Sequence, residues 1–327
     1  MTSKIKEKFD REGYLVVINV LDFNFDLKPV LNDIEFIMNG LLYNFVSKKK
    51  HNTVFKYDFW KKYTFLSKLN IKDFDQYFNI RPAKENLKKD SDFFATQSVW
   101  NLIRNENILD IIEKLIGSEI NSNPVQNSRI KQPEKFLKKK IIYDGLSGRT
   151  PWHQDAGVLS EKGQKHTDLI TCWVPFTKTT KKNGCMLTVP GLQKKGLFNH
   201  DADSKGQAYI RNSDLLNKLK TVALEANPGD IVLLSKHTVH CSLPNISNNF
   251  RISMDLRYHK SGQPSGRDML PNFCVSSKNK KNIKIHNFKQ WLALWEKAKQ
   301  KCVPKKYTFK YQTPTFKGKK RDLINLI

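Results

Sequence analysis

The chain has 327 residues and carries 57 lysines and arginines against 31 acids, a formal net charge of +26. It is long enough for one large domain or two small ones with a sizeable core, and no run of about 18 uncharged apolar residues marks a membrane span. Lysine supplies 47 of the basic residues, in small clusters such as Lys48-Lys49-Lys50, Lys138-Lys139-Lys140 and Lys319-Lys320, with no arginine-rich face or basic arm, so nucleic acid is not the expected partner.

Residues 3–12 read as a short helix leading into a β-branched run over 13–20, of the kind found in buried strands. Over 26–45 apolar residues recur at helical spacing (Leu31, Ile34, Ile37, Met38, Leu41, Leu42), with Asp26 as the cap. The aromatic stretch 55–78 is also predicted helical. Residues 99–116 are predicted as one helix, stopped by Gly117. From about Asn123 the pattern changes to short strands punctuated by Gly, Pro and Asn, at 125–130, 137–143, 169–174, 185–189, 221–224, 230–234 and 252–258. Such strands predict a mainly β fold, an antiparallel sandwich or jelly roll. Residues 198–217 read as a polar loop inserted over one mouth of the barrel, 291–299 as an amphipathic closing helix, and 303–327 as a loosely held basic tail. The economical division is one domain over 1–275, helix-rich to 120 and a jelly-roll core from about 121, then a basic extension over 276–327.

Five cysteines, an odd number with no CxxC spacing, fit a reducing cytoplasm better than a disulfide framework. The polar N-terminus shows no signal-peptide apolar region.

Two stretches carry the chemistry. In Trp152-His153-Gln154-Asp155 side chains two apart share a face of an extended segment, so His153 and Asp155 project together. His240 follows the apolar run 231–234. Two histidines and one carboxylate leave three coordination positions open, the facial triad of non-haem Fe(II) oxygenases. Further on, Arg251, Ser253, Asp255 and Arg257 alternate strictly with Ile252, Met254, Leu256 and Tyr258, a strand with one apolar face. A guanidinium beside a hydroxyl is a receptor for a carboxylate. Iron with open sites next to such a receptor suits a 2-oxo acid, whose keto-acid end would chelate the metal while its far carboxylate pairs with Arg251. Each element also has a bland reading: a histidine capped by a carboxylate on a loop, a salt bridge between Arg251 and Asp255, a core tryptophan at Trp173.

The order Trp152-His153-Gln154-Asp155-Ala156-Gly157, Thr171-Cys172-Trp173-Val174-Pro175-Phe176, Asn183-Gly184-Cys185-Met186-Leu187-Thr188-Val189-Pro190-Gly191, then Pro228-Gly229-Asp230 with His240 and Arg251, resembles the phytanoyl-CoA dioxygenase family over about residues 8–275. The resemblance implies a double-stranded β-helix, Fe(II) held by His153, Asp155 and His240, and 2-oxoglutarate as cosubstrate. It places Arg251, Ser253, Ser242, Trp173 and Gln126 at the cosubstrate. It also implies oxidation of a small molecule by O2 with release of succinate and CO2. Related halogenases carry a small residue at the carboxylate position, so Asp155 favours hydroxylation or desaturation. The upstream lysine that contacts 2-oxoglutarate in some relatives has no clear match among so many lysines. The basic surface leaves an anionic substrate open. A cupin-like metal enzyme that uses no 2-oxo acid, and a non-catalytic binding protein on a degenerate scaffold, remain alternatives.

Overall fold

Short polar side chains decide where several of the N-terminal helices begin, Asp58, Thr96 and Asn105 among them. The computed structural model describes residues 2–72, 74–81, 93–137, 148–203, 207–278 and 283–302. Helix α1 (Thr2–Glu12) leads into β1 (Tyr14–Val17). Helices α2 (Lys28–Phe45), α3 (Lys48–Val54), α4 (Phe59–Lys68), α5 (Gln97–Ile103) and α6 (Glu106–Ile116) follow. The predicted cap Asp26 instead closes a π-helical turn over Phe23–Leu27: Asp22 accepts from the N–H groups of Asn24 and Phe25, and Asp26 accepts from that of Asp22. The single helix predicted over 99–116 is two, because Asn105 caps α6 by accepting from the Ile108 N–H at 3.3 Å and Thr96 caps α5. Such caps contribute about 1 kcal/mol each. Gly117, at φ +87°, ends α6 as predicted.

The β region holds β2 (Ile120–Ser122), β3 (Asn127–Lys131), helix α7 (Glu161–His166), β4 (Ile170–Pro175) and β5 (Met186–Thr188). It continues with β6 (His200–Ala202), β7 (Ala208–Ile210), β8 (Val222–Leu224), β9 (Ile231–Ser235), β10 (His240–Ser242), β11 (Arg251–Lys260) and β12 (Phe273–Ser276). Helix α8 (Phe288–Cys302) closes the described chain. The strand predicted over 137–143 falls, apart from Leu137, outside the described residues, as does the tail 303–327. The stretch 198–217 carries the β6–β7 hairpin and a 3-10 turn rather than a plain loop.

Seven strands form the major sheet in the order β1-β9-β4-β11-β2-β12, with β3 also paired to β11; β10-β5-β8 form a minor sheet. All pairings are antiparallel. Together they make the jelly roll. Strand β1 is an edge; Leu15 is buried while Tyr14, Val16 and Val17 are half-buried, so the run predicted as a buried strand is only partly covered.

Strand β11 is the centre of the major sheet, and its alternation sorts two cores. Ile252, Met254, Leu256 and Tyr258 are fully buried among residues of α2, α5, α6 and α8. Each such side chain contributes about 2 kcal/mol of burial. Trp291 and Trp295 of α8 join that core, Trp291 beside Trp100 at 5.7 Å between ring centroids. The polar side chains of β11 face the minor sheet and are buried as well. Alternation usually marks a strand with one wet face; here the polar face is roofed by a second sheet.

Candidate active site

His153 lies on no named strand, yet it forms an isolated antiparallel bridge with His240 of β10. Each donates its N–H to the other's carbonyl, at 2.9 and 3.0 Å. Residues paired across antiparallel backbone project to one face, and the two imidazole centroids are 4.2 Å apart. Asp155 follows two residues on, at the start of a 3-10 turn. Ligand atoms of His153, Asp155 and His240 lie within 4.8 Å of one another, and all three residues are buried.

The protonation states suit a metal. His153 Nδ1 faces the Pro151 carbonyl at 2.9 Å and His240 Nδ1 the Thr238 carbonyl at 2.9 Å, so each donates from Nδ1 and leaves the Nε2 lone pair free. A carbonyl behind a ligating imidazole fixes its tautomer in this way. Burial, aided by His240, pushes the His153 imidazole well below its ordinary range despite Asp155 and the Pro151 carbonyl, which keeps it neutral. For Asp155 burial alone would raise the carboxyl; Arg257, the two histidines and the Thr171 hydroxyl outweigh it and hold it below the usual carboxylate range. Arg257 donates to Asp155 Oδ1 at 2.5 Å, and Thr171 donates to Oδ2. Two imidazoles and an ionised carboxylate with other positions open are the donor set of non-haem iron(II) oxygenases.

The triad opens on a small cavity between the sheets, lined by Arg251, Asp255 and Arg257 of β11, Trp173 of β4 and Ser242 of β10, among others. Arg251 is 1% exposed. Its guanidinium donates to Ser253 Oγ at 2.6 Å and to the Gly184 carbonyl at 3.2 Å, and lies 5.6 Å from the centre of the Trp173 ring. Asp255 pairs with Arg129 at 2.9 Å instead of with Arg251. Gln126 lies outside the cavity lining, its amide donating to Ser122 Oγ at 2.9 Å. Cys241 lines the cavity, but burial pushes its thiol up to about 12 and keeps it protonated.

Sequence reading missed four residues here: Thr171, Arg129, Lys131 and Arg257. Arg257 shares the parity of Arg251 in the alternating octet, which was the available signal. Lys131 had none, being one lysine among many. Gln154, between the ligands, points away and ties the segment down through the carbonyls of Gly196 and His237 and the N–H of Phe198. His200 is structural, its Nε2 accepting the Gln154 N–H. A Cβ on Gly157 would come within 2.7 Å of the His200 ring, so glycine is required there.

A jelly roll with this donor set defines a class, and the comparisons with known proteins define the family. The phytanoyl-CoA dioxygenase (PhyH) family model matches residues 9–253. The chain belongs to that family. A Caenorhabditis elegans protein named "Probable phytanoyl-CoA dioxygenase" is 26% identical over 184 residues, 55% of this chain and 56% of the relative. The chain thus spans about half the length of that relative. A 2-aminoethylphosphonate dioxygenase from uncultured bacterium HF130_AEPn_1 is 28% identical over 205 residues, 61% of this chain and 74% of its own. Among solved structures, the non-haem monooxygenase ThoJ in its apo form superposes with a TM-score of 0.57 at 16% identity, covering 91% of this chain and 98% of its own. That likeness concerns the fold. No helix among the described residues is long and apolar enough to cross a membrane.

Proposed function

We propose that the protein is an Fe(II)- and 2-oxoglutarate-dependent dioxygenase that hydroxylates a small molecule, releasing succinate and CO2. The observation that carries this reading is the convergence of His153, Asp155 and His240, their ligand atoms within 4.8 Å, on a cavity that also holds the buried Arg251. His153 Nε2, a carboxylate oxygen of Asp155 and His240 Nε2 would hold the iron. Arg251, Ser253 and Ser242 would hold the far carboxylate of 2-oxoglutarate, over Trp173. When bound, iron and 2-oxoglutarate together supply the oxidising power through O2 activation and decarboxylation.

The chain's own residues supply the rest. Arg257 and Thr171 keep Asp155 ionised and oriented. The bridge between His153 and His240 fixes the angle between the two imidazoles. The walls of the cavity exclude water, which restrains turnover without substrate. The presence of Asp155 leaves no open halide position and supports hydroxylation.

We propose further that the substrate is anionic. Arg257 Nε and Nη1 are buried at the cavity without a hydrogen-bond partner, and one relative is named for a phosphonate. The burial of Trp291 and Trp295 supports counting α8 in one domain with residues 1–275. Among the described residues Cys172, Cys185, Cys241 and Cys274 are free, which suits a reducing compartment, and we propose a cytoplasmic location.

The test is an anaerobic titration of apo-protein with Fe(II) and 2-oxoglutarate, followed by the visible metal-to-ligand charge-transfer band. A band that weakens in Arg251→Ala is the expected result. Metal binding with no band would favour a cupin-like enzyme independent of 2-oxo acids.

A further inference from the structure

Lys131 is 2% exposed, a rare position for a lysine. It sits on β3 directly opposite Arg251 of β11 in the antiparallel register, so the two side chains leave the sheet on the same face. Its ammonium donates to Ser242 Oγ at 2.8 Å and to the Leu243 carbonyl at 2.8 Å. Both acceptors are neutral. Among the described residues Arg251 likewise donates only to the Ser253 hydroxyl and the Gly184 carbonyl, and its Nε has no partner there. Two buried cations facing neutral acceptors are costly unless an anion completes them. Gly184 makes room for the arrangement: at φ +89° a Cβ there would lie 2.7 Å from Lys131 Cδ.

Ser242 is the link to the cavity it lines. Its oxygen also accepts the Thr150 N–H at 2.8 Å. A serine hydroxyl has two lone pairs and one proton, and Lys131 and Thr150 occupy both lone pairs. The proton is left to donate, and no acceptor among the described residues takes it. A carboxylate at Arg251 is a suitable recipient.

We propose that Lys131 is a positioning residue for the far carboxylate of 2-oxoglutarate, fixing Ser242 as a donor and adding the second positive charge that this end of the pocket presents. This rests on the cosubstrate reading given above. It makes the pocket selective for a dicarboxylic 2-oxo acid over a monocarboxylic one. Burial, with Arg251 and Arg129 nearby, lowers the Lys131 ammonium well below its ordinary range, which agrees with a site that an anion completes.

The experiment is an anaerobic titration of the Fe(II)-loaded protein with 2-oxoglutarate and, separately, with 2-oxobutyrate, which lacks the far carboxylate. In Lys131→Met the Kd for 2-oxoglutarate should rise about 10- to 100-fold, the range for losing a hydrogen bond to a charged group. The Kd values for 2-oxobutyrate and Fe(II) should stay within about twofold of wild type, which a general structural defect would not allow. Adding Ser242→Ala to Lys131→Met should cost little more, because the lysine acts through the serine. An unchanged 2-oxoglutarate affinity, or equal weakening of both acids, overturns the proposal; additive losses overturn the route through Ser242. Should Lys131→Met fail to fold, Ser242→Ala alone must reduce the preference for 2-oxoglutarate over 2-oxobutyrate, and a retained preference overturns it. A wild-type protein that gives no band removes the cosubstrate reading itself and this proposal with it, whereas a normal wild-type band with an unaffected variant removes this proposal alone.

Discussion

On one side of β11, Ile252, Met254, Leu256 and Tyr258 sink into the helical core; on the other, Arg251, Asp255 and Arg257 line a cavity and, with Ser253, are just as deeply buried. The apolar face is held by close packing, which is non-directional and tolerates any shape of the right volume. The polar face is held by directed partners: Arg257 on Asp155, Arg129 on Asp255, Arg251 on Ser253. Burying charge is unfavourable unless it is paired. The polar face therefore costs stability that the apolar face supplies, and what it gains is a site that can hold a metal and an anion.

Substitutions on either face of β11 test this division. The largest effect is expected at the metal. Asp155→Ala should bind little Fe(II) and lose more than about 1000-fold in turnover, and its melting temperature should fall as well, because Arg257 is left buried without its carboxylate. Metal content and succinate release check this, and full activity would sink the assignment.

On the apolar face, Leu256→Ala should cost about 2–5 kcal/mol of stability, the range for a buried leucine. Denaturant melts measure the loss. The Fe(II) affinity of the protein still folded should match wild type, and a matching fall would show that the two faces are not separable.

Arg257→Leu sharpens the contrast. It leaves the ligand set intact but removes the guanidinium behind Asp155. Fe(II) affinity should fall about 10- to 100-fold, as for other groups that orient a metal ligand. An unchanged affinity would mean that Thr171 suffices.

The smallest effect concerns His259, also on β11. Burial lowers its imidazole to about 4 from the ordinary 6.5. The unfolded chain then binds the proton more readily than the folded one, so His259 contributes fully above about pH 6.5, and stability is lost as the pH falls from there toward 4. His259→Gln should flatten the pH dependence of denaturant midpoints over that window. A slope identical to wild type would assign the acid sensitivity to other groups, among them His237, which is lowered similarly.

Much of the site was legible in the residue order because its grammar is local. His153 and Asp155 share a face by the period of two, and β11 announces its own alternation. The helix boundaries were less legible, although Asn105 before Glu106 is a capping signal that would have split the predicted helix. The place of Arg257 behind Asp155 was not legible, because it depends on a loop far away in the chain.

The sequence by itself determined the family, the jelly-roll class, the identity of the three candidate ligands and the two-sided character of β11. The tertiary structure alone decided that both sides are buried, that His153 meets His240 through a backbone bridge, that Asp255 belongs to Arg129, and which lysine of 47 stands beside Arg251. Periodicity fixes which way a side chain points from its own strand. Whether it meets water, a carboxylate or a second sheet depends on long-range pairing, which no local period encodes.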